Sequence, residues 1–319
     1  MPWFRRRASA GDDEVPGVPT DPDPVLPVLS RDDAATLVAL TRRTFAEHGR
    51  ETVPDGEGVL VGDGIVHGLG NLAAVVAQLP RRQWPAAVER HVSTMIEAHA
   101  TAEPTTLEQA RSLLLPKLRP LSSLDVRRPA YAPEPLPGLL TVAALDYPTH
   151  VSELLSDERL DALGGWEAVR DIAFENLRRL PAPHHDVIDG DPSRADAVVH
   201  LLATDDFFGA SRVLVLDEVL AGIGIERPRH GVLLAVPNRH LLAVHVLGGL
   251  GVVTAMQTLT RLAAGEHDPR PGPVSPHVYY RAADGRVEQV TFPDPDGQGV
   301  GVHVRGLLAE AFAALGLVE

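Results

Sequence analysis

The second half of the chain repeats the order helix, strand, strand, and this repeat constrains the fold more than any other feature. Each repeat is a helix followed by a hairpin: 211–221 with 231–236 and 240–246, then 252–264 with 278–281 and 287–292. Strands joined by short turns pair antiparallel, and their apolar faces need a covering layer. The sequence therefore predicts an α+β fold, with antiparallel sheets and helices packed on one face.

Further elements are expected before these repeats. Ser30 followed by Asp33 is typical of a helix start, and Gly49 ends that helix. The remaining predicted elements are a hairpin over 58–61 and 65–69, helices over 84–100 and 166–180, strands over 139–145 and 197–203, and a helix from Thr105 or Thr106 that ends before Pro116.

Composition divides the chain into three parts. Residues 1–29 hold six prolines and little apolar bulk, so we predict a disordered tail there. Residues 30–292 form the α+β region, with lobes expected over 30–125 and 139–292. Residues 293–319 are predicted to be a C-terminal extension with a short helix over 307–315.

Several classes of function are disfavoured by composition. The 319 residues carry a net charge of −14, which opposes nucleic acid as a partner. The absence of cysteine excludes disulfides, iron–sulfur clusters and thiolate chemistry. The single lysine, Lys117, follows Pro116, which excludes a phosphate-binding loop of the GxxxxGK type. We expect no cofactor.

Targeting signals also bear on the class of protein. The basic residues 5–7 are followed by polar and acidic residues, so we expect no secretory signal and a cytoplasmic protein. The longest apolar run, 241–256, is too short to span a bilayer and contains three glycines.

One segment collects metal-ligand residue types. His184, His185, Asp186, Asp189 and Asp191 fall between a predicted helix and a predicted strand. Histidine and carboxylates are the ligands left for zinc or manganese when cysteine is absent. They are also expected in a solvated loop, which is the interpretation that we favour.

Asp205, Asp206 and Ser211 are the catalytic candidates. Two carboxylates after a strand could perform acid–base chemistry, or could cap the helix that follows; we favour the cap. Ser211 stands in half of a nucleophile-elbow pattern, whose second glycine is replaced by Val213.

Glycine patterns before predicted helices could mark a nucleotide site. Residues 68–73 fit a loose GxGxxA pattern, and residues 248–251 also precede a helix. Such patterns are weak alone, and a hairpin or a helix-entry role is the favoured interpretation.

Five blocks of sequence together resemble the YtpQ-like family of uncharacterised bacterial proteins. In chain order they are 157–164, 168–177, Asp205-Asp206 with 210–214, 232–237 and 262–267. The resemblance covers about residues 30–292 and implies an α+β fold in a cytoplasmic setting. It implies no activity.

Two hypotheses of function follow. The first is a non-enzymatic binding or regulatory protein that recognises a protein or peptide partner, because no catalytic constellation is complete. The alternative is a metal-assisted hydrolase that uses Asp205, Asp206 and the segment 184–191. The sequence leaves homo-oligomerisation open.

Overall fold

A computed structural model describes residues 19–317 except 57, 63, 64, 125, 192 and 295–298. The helices are α1 (Arg31–Glu47), α2 (Gly70–Val76), α3 (Trp84–Ala100), α4 (Leu107–Ala110), α5 (Asp157–Ala162), α6 (Gly165–Arg179), α7 (Leu216–Gly222), α8 (Gly251–His267) and α9 (Gly306–Ala314). The strands are β1 (Val53–Pro54), β2 (Val59–Gly62), β3 (Ile65–Gly68), β4 (Leu114–Pro120), β5 (Leu139–Asp146), β6 (Val151–Glu153), β7 (His184–Asp189), β8 (Val198–Ala203), β9 (Val232–Ala235), β10 (Leu241–Val246), β11 (Val278–Arg281), β12 (Val287–Gln289), β13 (Thr291–Pro293) and β14 (Val300–Val302). The predicted α+β class is confirmed.

The chain forms two compact units. Among the described residues, the first contains 19–100 and Asp268–Pro271, and the second contains Thr101–His267 and 272–317. The predicted lobe boundary at 125–139 is wrong, because β4 and β5, which flank it, pair along their whole length. Within the described ranges, every helix is too short or too polar to cross a bilayer.

The first unit packs α1, α2 and α3 around the sheet β1-β2-β3. Ser30 caps α1 as predicted, since its hydroxyl accepts a hydrogen bond from the Asp33 N–H at 3.2 Å. The predicted disordered tail, 1–29, however, includes residues that belong to the folded core. Leu26 and Leu29 are buried in this core, held by a turn in which Asp23 accepts from the Leu26 N–H. Residues 1–18 of the predicted tail lie outside the described residues.

The second unit is built on a six-stranded antiparallel sheet in the order β12-β11-β9-β10-β8-β7. Leu233 of β9 faces α8 and α9, whereas Leu234 faces the opposite side, where α7 packs. The sequence predicted helices on one face, and this sheet carries them on both. Alternate side chains of β9 and β10 are buried on each side, so their apolar runs lack a polar face.

A three-stranded sheet, β4-β5-β6, completes the second unit with α5 and α6. The helix predicted to run up to Pro116 ends at Ala110, and the apolar residues after it form β4. An apolar run of this length fits a buried strand or a helix equally well, and pairing with β5 decides for the strand.

The C-terminal segment is part of the second unit rather than a separate extension. Leu308 and Phe312 of α9 are buried against the six-stranded sheet. The Glu288 carboxylate accepts from the N–H groups of Leu307 at 3.1 Å and Leu308 at 2.6 Å, which fixes the start of the helix. Negative charge at a helix N-terminus is stabilising.

The burial of Leu29 makes the start of the described chain part of the core. We expect Leu29→Ala to lower the free energy of unfolding by about 3 kcal/mol, because it leaves a cavity between α1 and its neighbours. Val25→Ala is the matched control, since Val25 is 42% exposed. Urea unfolding measures both, and equal stabilities for the two variants would show that Leu29 is not docked.

Candidate functional site

The loop after β8 carries Asp206, whose carboxylate forms two contacts. Oδ1 accepts from the Phe208 N–H at 2.8 Å, and Oδ2 pairs with Arg212 Nη2 at 2.7 Å. The side chain of Arg212 is only 4% exposed. The predicted helix cap is therefore corrected: the 3-10 helix Ala210–Val215 begins after Gly209 without a side-chain cap, and Asp206 instead closes a turn and pairs with a buried arginine. Asp205 is exposed in the same loop.

The turn before β10 holds this loop in place. His240 Nδ1 lies 2.8 Å from the Asp206 carbonyl, and His240 Nε2 lies 3.0 Å from Arg239 Nε. A carbonyl only accepts and an arginine only donates, so Nδ1 carries the proton and the imidazole is neutral. Burial lowers the pKa of His240, and the charge of Arg239 lowers it further. The Arg239 guanidinium lies 4.1 Å from the ring centroid of Phe207.

A second carboxylate ends β5 near this loop. Burial raises the pKa of Asp146, and the negative charge of Asp206 raises it further. A further negative charge near Asp206 is therefore electrostatically unfavourable.

Ser211 does not have the setting of a nucleophile. It is 1% exposed, and its Oγ accepts from the Leu118 N–H at 3.0 Å, which ties the 3-10 helix to β4. Gly209 is required for packing, because a Cβ there would lie 2.5 Å from the His240 carbonyl carbon. The half-elbow pattern therefore reflects close packing of the loop against the β10 turn.

The segment predicted as a ligand-rich loop is the edge strand β7. Successive side chains of a strand point to opposite faces, which separates His184 and Asp186 from His185. His185 Nε2 lies 3.1 Å from His200 Nδ1 on β8. Asp186 accepts from the Val187 N–H. Across the described residues, no three His, Asp or Glu side chains are grouped to hold a metal ion.

Asp189 and Asp191, at the end of the same segment, have different surroundings. Asp189 is the exposed last residue of β7, and Asp191 Oδ1 accepts from the N–H and the hydroxyl of Ser193 at 2.9 and 2.6 Å. The prediction of a loop was wrong for 184–189, because an exposed edge strand lacks the apolar alternation that marks a half-buried one.

The glycine-rich entry to α8 is occupied by a side chain of the same chain. Asp196 Oδ2 accepts from the Gly251 N–H at 2.9 Å, and Arg194 pairs with the same carboxylate at 3.0 Å. A Cβ at Gly251 would lie 2.2 Å from the Asp196 carbonyl oxygen. The pattern at 248–251 is thus explained by helix entry, as favoured.

A cleft of about 610 Å³ lies between the end of α6, β7 and the segment 210–223. We call it the α6–α7 cleft. Its apolar walls are formed by Leu177, Leu180, Pro183, Val215, Val219 and Ile223, and its polar lining consists of Arg178, His185, Arg212 and Glu218. Arg178 and Glu218 pair at 3.1 Å. A mostly apolar cleft with few polar groups is typical of a binding site.

Arg212 connects the cleft with the Asp206 loop. It lines the cleft, pairs with Asp206, and has a buried Nε without a hydrogen-bond partner in the described part of the chain. Sequence reasoning singled out Asp206 and missed Arg212. A signal was present, because a lone arginine inside the apolar run 210–216 must find a partner if that run is buried.

Comparison of the chain with protein-family models, with curated proteins and with solved structures finds no match. The resemblance to the YtpQ-like family therefore stays an expectation.

The ion pair of Asp206 predicts a graded effect of substitution. Asp206→Ala should lower the free energy of unfolding by about 3 kcal/mol, because it leaves the Arg212 charge buried and unpaired. Asp206→Asn keeps an oxygen for the Phe208 N–H but not the charge, so we expect an intermediate loss. Urea unfolding ranks the variants, with Asp161→Ala on the exposed face of α5 as control. If both variants are as stable as the wild type, the carboxylate is not structural, and a catalytic role gains support.

The histidines near β8 predict an acid-sensitive fold. Burial lowers the pKa of His200, followed by the charges of His185 and His245, and burial also lowers that of His245. The unfolded chain, with a histidine pKa of about 6.5, then binds protons first as the pH falls. We expect the free energy of unfolding to decrease from pH 7 to pH 5.5, and the decrease to be smaller in His200→Gln. Urea titrations at the two pH values measure it. An equal decrease in the free energy of unfolding for His200→Gln and the wild type would show that His200 does not cause it.

Proposed function

We propose that this chain is a non-enzymatic binding protein that recognises an extended segment of a protein or peptide partner at the α6–α7 cleft. The observation that carries the proposal is the mostly apolar cleft of about 610 Å³ beside the edge strand β7. A cleft of this size lies within the range of known ligand-binding pockets. A cytoplasmic setting belongs to the same proposal.

The edge strand favours a peptide over a free small molecule. β7 pairs only with β8 among the described strands, so its outer edge offers backbone donors and acceptors. An extended peptide can add to such an edge, with main-chain hydrogen bonds for affinity and a side-chain pocket for specificity. His185 belongs to β7 and also lines the cleft, so the two features are contiguous.

Asp186 limits access to this edge. Its Oδ1 accepts from the Val187 N–H at 2.8 Å, and Val187 itself is 46% exposed. Covering an edge donor with a charged side chain hinders unspecific strand pairing. A partner that adds to β7 has to displace this exposed carboxylate, which costs little because water then solvates it.

The alternative hydrolase has weaker support. Asp206 is engaged by Arg212 and by the Phe208 N–H, and β7 directs neighbouring candidate ligands to opposite faces. Of its proposed residues, His185 alone lines the α6–α7 cleft in the described structure.

Binding of labelled peptides tests the proposal. The probes are fluorescein-labelled hexapeptides of alternating Thr and Val, with Leu, Phe or Asp at one central position. We expect the Leu and Phe peptides to bind, and Val219→Glu to weaken binding at least tenfold by placing a charge in the cleft. Val253→Glu is the matched control, since Val253 is an exposed valine of α8. Fluorescence anisotropy measures affinity. Absence of binding, or equal effects of both variants, would refute the proposal.

Two further measurements separate the strand edge from the cleft. N-methylation of alternate peptide bonds should abolish binding if the peptide adds to β7, because it removes the donors of one edge. Asp186→Ala should tighten binding two- to fivefold, because it frees the Val187 N–H. Unchanged affinity in both measurements would restrict the site to the cleft alone.

A further inference from the structure

The guanidinium of Arg212 has more hydrogen-bond donors than the fold uses. An arginine carries five N–H donors. Among the described residues, Nη2 donates to Asp206, while Nε is buried with no partner. Buried donors are almost always satisfied in native proteins, and an unmet one costs about 1–3 kcal/mol. Arg212 also lines the α6–α7 cleft, so an occupant of the cleft contacts this residue and can offer an acceptor to the N–H groups that Asp206 does not use.

The charges around Arg212 decide which kind of acceptor fits. Arg212 and Asp206 form a pair at 2.7 Å that is neutral overall. Asp146 lies close enough for the charge of Asp206 to raise its pKa, in addition to the effect of burial. Elsewhere in the cleft lining, the charge of Arg178 is balanced by Glu218. Both arginines that line the cleft, Arg178 and Arg212, are thus paired with a carboxylate.

A second carboxylate would therefore enter a site with no net positive charge. Burying an anion without a compensating cation is strongly unfavourable, whereas a neutral carbonyl gains a hydrogen bond from the guanidinium at a smaller desolvation cost. The chain's net charge of −14 opposes an anionic ligand further.

We infer that the α6–α7 cleft binds an uncharged, apolar residue within a peptide chain, and that Arg212 donates to the main-chain carbonyl of that residue. The partner is then recognised through an internal segment and not through a free C-terminal carboxylate. This inference rests on the proposed function and specifies its ligand.

Three hexapeptides that differ only at their ends test the inference. All three end in the apolar residue that fills the cleft: one is N-acetylated with a C-terminal amide, one is N-acetylated with a free carboxylate, and one is N-succinylated with an amide. The last two have the same net charge and differ in where the negative charge lies. We expect both amides to bind at least tenfold more tightly than the free acid.

The double variant Arg212→Met/Asp206→Asn shows whether the pair causes this preference. It removes both charges together, so neither is left unpaired. We expect weaker binding of the amides and loss of the preference over the acid. Arg212→Lys, which retains a charge beside Asp206, should keep the preference in part. Thermal unfolding of each variant confirms that it is folded.

The outcomes separate this inference from the proposed function. If the free acid binds as tightly as the succinylated amide, or the preference persists in the double variant, the inference is wrong, even where Val219→Glu still abolishes binding. If none of the three peptides binds to the wild-type chain, the proposed function fails and the inference fails with it.

Discussion

The buried ion pair between Arg212 and Asp206 is the interaction on which the candidate site depends. Arg212 is almost fully buried, so its charge requires a counter-charge within the fold. Asp206 supplies it from the loop after β8, which is held by His240 immediately before β10. Pairing of β8 with β10 brings these two segments together. The position of the cleft wall thus follows from the order of strands in the six-stranded sheet.

The same pair sets the electrostatic character of the cleft. It places a charged guanidinium beside apolar walls while keeping the site neutral overall, and it leaves donors on Arg212 that the fold does not use. His240 adds no charge, because its hydrogen bonds fix the neutral imidazole. A site of this kind selects for hydrogen-bond acceptors without selecting for anions.

Local signals predicted much of the fold, whereas non-local contacts determined the site. The helix start at Ser30, the hairpin of β9 and β10 and the extent of α3 follow from capping, turns and periodicity, and the structure agrees. The predicted helix before Pro116 runs too far and includes Leu114 and Leu115, because only pairing with β5 shows that these residues begin β4. Arg212 was missed because its relation to the cleft depends on residues distant in the sequence, such as His185 of β7.

The edge strand β7 combines a free outer edge with a protected backbone donor. A free edge invites unspecific pairing, and this one is protected by polar side chains and by the bond from the Val187 N–H to Asp186. Such protection is reversible, since an exposed carboxylate can be displaced by a better acceptor. Displacement is favourable only for a chain that also places an apolar residue in the neighbouring cleft. Edge and cleft would then act together: the edge accepts any extended backbone weakly, and the cleft determines which one stays bound.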